Sequence, residues 1–193
     1  MNVVPLVLEG KLVRLEPMSV VRVPGLCEAG LFDELWQWTS RAIRNDADME
    51  EYVRNAMKEQ AARTALPFVI VEKGSGKVVG STRFGSIDVE NRKTEIGWTW
   101  ITPASQRTGI NTETKLLMLT HAFEVWGCIR VEFKTDENNQ RSRKAIARIG
   151  ATEEGTLRNH MITQGGRFRN SVYFSIIESE WPRVKSRLLE LVG

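Results

Sequence analysis

Apolar and polar residues recur along this chain at two periods, close to 2 and close to 3.6, and the switches between them outline the elements. Two apolar bursts within residues 6–15 flank Glu9-Gly10-Lys11, which predicts a strand, a tight turn and a second short strand. From Pro24 to the region of Arg63 the period becomes helical, with Met49, Tyr52, Val53 and Met57 on one stripe, and two helices are predicted. Residues 67–72 read as a strand, Gly74-Ser75-Gly76 as a turn, and 78–87 as further extended chain ending at the polar corner Glu90-Asn91-Arg92. Over 94–101 strict alternation assigns Ile96, Trp98 and Trp100 to one sheet face and Glu95, Gly97 and Thr99 to the other. After a loop over 103–109, Leu116, Leu119, Phe123 and Trp126 mark the buried stripe of a helix that Gly127 ends. A strand follows in which Ile129, Val131 and Phe133 alternate with Arg130, Glu132 and Lys134, then a basic helix over 140–148 stopped by Gly150. The tail predicts a hairpin turning at Gln164-Gly165-Gly166 and an amphipathic helix carrying Trp181, Val184, Leu188 and Leu191, with Ser179 as its N-cap.

Several hairpins and one strand–helix–strand crossover over 94–134, which should be parallel and right-handed, make this an α+β chain with a largely antiparallel sheet. The 193 residues contain no repeat or Ser/Pro linker, and one domain over 1–193 is expected. The longest apolar runs, at 3–8 and 66–71, fall far below the roughly 18 residues of a membrane span. The first ten residues lack the basic start and apolar centre of a signal peptide, so a cytoplasmic location without membrane partners is expected. Cys27 and Cys128 stand apart from any Cys/His spacing that holds zinc; free thiols and no metal are expected. Lys and Arg number 27 against 24 Asp and Glu, a net charge of +3, too small an excess to call for direct nucleic-acid contact.

Candidate chemistry is concentrated in Gln106-Arg107-Thr108-Gly109-Ile110-Asn111, which joins a predicted strand to a predicted helix. A helix N-terminus leaves backbone N–H groups unpaired and carries about half a positive charge, which suits a pyrophosphate, and Gly109 lets the main chain approach closely. The pattern is neither of the two nucleotide-binding glycine signatures, so nucleotide hydrolysis and dinucleotide binding fit poorly, and an ordinary βα turn explains it equally well. A second feature is Asp136-Glu137-Asn138-Asn139-Gln140-Arg141-Ser142. Helical spacing of Ser142, Ala145, Ile146 and Ile149 puts Ser142 on the buried side, either as an extra cap or pointing into a cleft. Glu95 shares its expected face with a glycine and a threonine, where a cleft has room to open.

Together these segments resemble the GNAT superfamily of acyl-coenzyme A-dependent N-acetyltransferases, whose strand–loop–helix motif is Gln/Arg-x-x-Gly-x-Gly/Ala. The likeness is nearest to the Rim-type branch of ribosomal-protein N-terminal acetyltransferases, through the run from Thr108 to Leu117, the pattern Asp136-x-x-Asn139-x-x-Ser142 and the tail from Gly155 to Met161. Asn111 departs from the usual Gly or Ala, and Ile146 stands where many relatives place a tyrosine. The resemblance implies a mixed, mostly antiparallel seven-stranded sheet, splayed between strands four and five, with helices on both faces and a homodimeric assembly. It implies acetyl-CoA as donor, its pantetheine arm entering the splay along Trp100 and Ile101. The pyrophosphate would lie on Gln106, Arg107, Thr108, Gly109, Ile110, Asn111 and Thr112, with Arg107 and Arg143 near phosphate charge. Asn139 would bond the pantetheine, and Ser142 would approach the sulfur. Glu95 is the expected base, through a water; its competing reading is a surface pair with Lys93 or Arg83. Trp36 and Trp38 lie where this branch gates its acceptor pocket, with core packing as the alternative, and His160 either lines that pocket or bonds structurally. His121, off the apolar stripe, is expected to be solvated. The implied acceptor is a primary amine, foremost a ribosomal-protein N-terminus, which would need an open groove between the Trp36 region and the Gly165 hairpin. A closed acidic pocket would instead favour a polyamine or aminoglycoside, and a non-catalytic CoA-binding module is the reading from another class.

Overall fold

A computed structural model describes every residue, Met1–Gly193. The elements run β1 (Leu8–Glu9), β2 (Val13–Pro17), α1 (Val23–Gly30), α2 (Asp46–Ala61), β3 (Leu66–Glu72), β4 (Val78–Asp88) and β5 (Lys93–Ile101). They continue through α3 (Ile110–Thr120), β6 (Arg130–Asp136), α4 (Gln140–Arg148), β7 (Thr152–Ile162), β8 (Phe168–Ile177) and α5 (Trp181–Val192). One sheet of eight strands results, in the order β1-β2-β3-β4-β5-β6-β8-β7. Every neighbouring pair is antiparallel except β5 and β6, which are parallel as the crossover predicts. The count is eight rather than seven because Leu8 and Glu9 pair with Leu15 and Arg14 as a short edge strand. The splay expected between strands four and five therefore falls between β5 and β6.

The uninterrupted apolar run of β3 reflects burial on both faces. Leu66, Phe68 and Ile70 enter a core of 26 residues that includes residues of α3 and α5, whereas Val69 and Val71 enter a second core of 11 residues built with α1 and α2. Glu113, in the first turn of α3, accepts the main-chain N–H groups of Lys11, Leu12 and Val13 at 2.7–2.8 Å. Three donors on one buried carboxylate tie the β1–β2 turn to the start of α3. Gly10 is required there, since a Cβ at that position would lie 2.4 Å from the Glu113 carboxyl carbon. No helix is long and apolar enough to cross a membrane. Both cysteines are free thiols, Cys128 buried and Cys27 partly so.

Three expectations are overturned locally. On β5, Arg83 lies opposite Gly97 and Ser81 opposite Trp100, so three steps of β5 face two of β4. This one-residue bulge puts Trp98 at φ +51°, a strained value for a bulky side chain, and reverses the alternation beyond Ile96. Ile96 stays in the core with α3, Trp100 joins the core with α1 and α2, and Thr99 turns toward α3 to meet Lys115. His121 is buried rather than solvated: α3 widens into a single π-turn over His121–Val125, which brings the ring 6.1 Å from Phe84 and 4.9 Å from Trp126. Burial pushes its pKa down. Ser179 does not cap α5; a 3-10 turn over Glu178–Glu180 precedes the helix, and the Glu180 carboxylate accepts the Ile177 N–H at 3.1 Å.

Candidate functional site

β5 and β6 pair through only three positions, Lys93–Arg130, Thr94–Val131 and Glu95–Glu132. Beyond Glu95 the two strands part, β6 staying with β8 and β5 with β4, so Ile96–Ile101 has a free main-chain edge facing a wedge. An unpaired edge accepts an extended ligand as an added strand.

At the far end of that edge lies the anion-suited turn. Gln106 and Thr108 shape it with their side chains: Gln106 Nε2 donates to the Ile101 carbonyl at 2.8 Å, and Thr108 Oγ1 donates to the Ser105 carbonyl at 2.7 Å. Arg107 takes φ +63° between them. The Ile110 N–H meets Thr108 Oγ1 at 3.3 Å, whereas no protein group accepts the N–H groups of Asn111 and Thr112. Arg148 of α4 donates to Thr112 Oγ1 at 2.7 Å and so brings a guanidinium to the same turn. Arg143, expected near phosphate charge, instead reaches Glu153 at 3.1 Å and the Glu137 carbonyl at 3.3 Å. The Asn111 side-chain oxygen is sealed from solvent without a partner.

Asn139 caps α4, its Oδ1 accepting the Ser142 N–H at 3.0 Å. The cap is thus supplied by Asn139, not Ser142, and the Ser142 hydroxyl, half-buried, bonds to no protein group. In Trp100 the ring belongs to the core, which leaves its main chain to face the wedge; the indole Nε1 is buried without a partner.

The other face of the wedge is polar. Glu95 is 4% exposed and its Oε2 lies 2.9 Å from Lys134 Nζ, a partner on β6 in place of Lys93 or Arg83. Burial pushes the Glu95 pKa up, and Lys134 offsets part of that rise. Arg83 pairs with Glu59 at 2.6 Å and lies between the rings of Tyr52 and Trp98, at 5.4 and 4.9 Å. Trp98 is 40% exposed, so this face opens to solvent. His160 comes inward through a bulge between Leu157 and Met161; its Nδ1 lies 3.0 Å from Ser171 Oγ and its Nε2 3.4 Å from the Tyr173 hydroxyl. Burial, then the charges of Lys134 and Arg169, push its pKa down.

Trp36 is core rather than pocket wall. It is 4% exposed, donates Nε1 to the Gly30 carbonyl at 2.8 Å and packs 5.5 Å from Trp100. Trp38 remains partly exposed, with Arg167 at 5.9 Å over its ring. The expected groove between this segment and the late hairpin is bridged. Gln164 Nε2 donates to the Trp36 carbonyl at 3.0 Å, and Arg169 to the Trp38 carbonyl at 3.2 Å.

Sequence reasoning missed Lys134, Arg167, Arg169 and Tyr173, which share this polar face; of the basic residues it noted on the 140–148 helix, Arg148 is the one that reaches the α3 turn. The signal was available on β8, where Arg169, Ser171, Tyr173 and Ser175 alternate with the core residues Val172, Phe174 and Ile176. Lys115 was also unremarked: it is fully buried in α3, donates to Thr99 Oγ1 at 2.6 Å, and burial pushes its pKa down to about 7.

This geometry has known counterparts. A Bacillus subtilis protein provisionally named as the ribosomal N-acetyltransferase YdaF is 34% identical over 106 residues, 55% of this chain and 57% of that one. The chain spans less than two thirds of the length of the curated relatives it matches. Among solved structures, a GCN5-related N-acetyltransferase from Brucella melitensis is 30% identical with a TM-score of 0.91, covering 98% of this chain and 86% of that one. RimJ of Mycobacterium smegmatis, solved with CoA-disulfide, shares the fold at 24% identity and a TM-score of 0.80, over 97% and 92% of the two chains. The acetyltransferase (GNAT) domain pattern matches residues 13–152, and the chain belongs to that family.

Proposed function

We propose that the protein transfers an acetyl group from acetyl-CoA to a primary amine, the N-terminal α-amine of a protein of the ribosomal type. The observation that carries this reading is the free edge of β5, which runs from Glu95 to the unpaired amides of Asn111 and Thr112. From Glu95 to Ile101 that edge measures roughly 20 Å at strand rise, enough for an extended pantetheine arm. Residues present fit the donor: first-turn amides and Arg148 suit its pyrophosphate, and the unused amide nitrogen of Asn139 and hydroxyl of Ser142 suit its tether. When bound, the donor supplies an acyl group activated as a thioester.

On the protein's side, Glu95 accepts the proton that the attacking amine loses, through a water. Burial makes it a stronger base than an exposed carboxylate, and Lys134 keeps it charged. An α-amine, with a pKa of about 8, asks less of this base than a lysine at about 10.4. Main-chain N–H groups on the free edge suit a developing oxyanion. The Ser142 hydroxyl, free of protein partners, suits the departing thiolate; a thiol of pKa about 8.5 leaves with little help, which makes the replacement of a tyrosine by Ile146 tolerable. The names of the B. subtilis relative and of RimJ support the ribosomal acceptor; with the groove beside Trp36 and Trp38 bridged by Gln164 and Arg169, its N-terminus would enter instead over the solvent-open Trp98 side of the wedge. A cytoplasmic homodimer belongs to the same proposal, and analytical ultracentrifugation checks the dimer.

The test is calorimetry with CoA followed by thiol release and mass spectrometry of peptides and cell-extract proteins. Micromolar binding and a mass gain of one acetyl group on N-termini are expected. Absence of heat from CoA at millimolar excess overturns the proposal, and binding without turnover of any amine reduces the protein to a coenzyme-binding module.

A further inference from the structure

Around the wedge nearly every buried or half-buried charge has an opposite partner. Glu95 has Lys134, Arg83 has Glu59, and Asp136 is bonded by Arg167 and by the Asn138 N–H. Arg169 is the exception. It is 9% exposed and has no carboxylate within 4.0 Å. Its Nε donates to Ser171 Oγ at 3.1 Å and its Nη1 to the Trp38 carbonyl at 3.2 Å, two of the five N–H donors a guanidinium carries. Nη2 bonds to no protein group and is not sealed from solvent. The charged and titratable groups near it are Glu95 of β5, Asp136 of β6 and His160 of β7, with Arg167 and Tyr173 from its own stretch of chain. With Asp136 and Glu95 already held by other cations, and Glu132 by Arg130, Arg169 is the cation of this face without a direct carboxylate partner.

A buried guanidinium without an acid is costly, and packing alone would favour an apolar residue. Its planar fork matches a carboxylate. We propose that Arg169 is a specificity site for a carboxylate on the acceptor, so that the preferred substrate is a peptide with Asp or Glu at its first or second position. The inference rests on the acetyl-transfer reading of the same wedge and goes beyond it by naming what lies next to the reacting amine. It also weighs against polyamines and aminoglycosides, whose cations would meet Lys134 and Arg169.

The experiment uses matched peptides that differ only as Asp against Asn, or Glu against Gln, at positions one and two. Thiol release with the 193-residue protein should show kcat/KM at least tenfold higher for the acidic member of one pair. Arg169→Gln, whose side-chain amide still reaches toward the Trp38 carbonyl, should bring that ratio near one, and Arg169→Lys should give an intermediate ratio. Equal rates for the acidic and neutral members with the wild type overturn the inference, while acetyl transfer itself stands; the wild-type comparison decides this whatever the variants do to folding. A ratio that persists in a folded Arg169→Gln protein overturns it too. If no peptide is turned over, tryptophan fluorescence titration with the same pairs decides separately. Tighter binding of the acidic member, lost in Arg169→Gln, upholds the carboxylate site although the transfer reading has failed; equal binding overturns the site as well.

Discussion

The two faces of the sheet are built from the same strands to different ends. On β6 and β8, Val131, Phe133, Val172, Phe174 and Ile176 turn toward the side of α3 and α5 and are buried in the larger core. Residues between them turn the other way: Glu132, Lys134, Asp136, Arg169, Ser171 and Tyr173. The helices α1 and α2 cover only the part of that face formed by β3 to β5. Alternation is equally regular on both sides, but only one side completes a hydrophobic core. Buried charge on the other side costs stability that packing does not call for, and a cleft that binds an amine and takes its proton gives a reason for it.

The sharpest break between the faces should come from Glu95→Gln. General-base catalysis is worth about 10²–10⁴-fold, and a loss of thiol release in that range is expected. Stability should move the opposite way. The Glu95 pKa is raised in the folded state, so the folded protein holds that proton more tightly than the unfolded chain. Its contribution therefore turns unfavourable as pH rises past the unfolded value of about 4.3. Glu95→Gln should melt no lower than wild type at pH 7, and any advantage should fade by acid pH in thermal scans. A large drop in melting temperature at pH 7 would make Glu95 a structural residue.

On the other face, Phe133→Ala is the counterpart. Phe133 is buried in the larger core, and its truncation should cost about 3–5 kcal/mol in urea unfolding. Residual activity measured on the folded fraction should stay close to wild type, since the ring faces away from the wedge.

How much of this was legible depends on which face a residue serves. Helix boundaries on the apolar side follow from period and stop signals, as in α4, whose predicted span over 140–148, closed by Gly150, coincides with Gln140–Arg148. The bulge in β5 was not legible, because Gly97-Trp98-Thr99 obeys a perfect alternation and only the pairing with Ser81 and Arg83 reveals the extra residue. His121 was misread for a related reason: a π-turn rotates the helix away from the 3.6-residue period on which its solvated placement rested. Local pattern placed Glu95 and Ser142 and the family resemblance gave them their roles, whereas Lys134, Arg167 and Arg169 gain meaning only when β6 and β8 lie side by side.

Lys115 blurs the contrast, being a buried amine on the apolar side whose only hydrogen-bond partner is Thr99. Its pKa falls to about 7, far below that of the unfolded chain. Between pH 7 and the unfolded value of about 10.4 the unfolded chain holds the extra proton, so wild-type stability should rise with pH across that window. Lys115→Met removes the proton and should be the more stable protein at pH 7. Its advantage should shrink by at most about 1.4 kcal/mol per pH unit toward pH 10, read as the gap between two denaturation series. A constant gap would mean that the amine is charged when folded.

The smallest effect is expected at Ser142, and its smallness is informative. Asn139, not Ser142, supplies the cap of α4, and the main-chain N–H that completes it belongs to any residue at that position. Ser142→Ala should therefore leave the melting temperature within about a degree, unlike Asn139→Ala, which loses a cap worth about 1 kcal/mol. The hydroxyl is free of protein partners and open to a ligand. A thiol of pKa about 8.5 departs largely unaided, so the predicted loss in kcat is a few-fold. A hundredfold loss would show that Ser142 does the work of the tyrosine replaced by Ile146, and the polar side of the wedge would then depend on two catalytic groups rather than one.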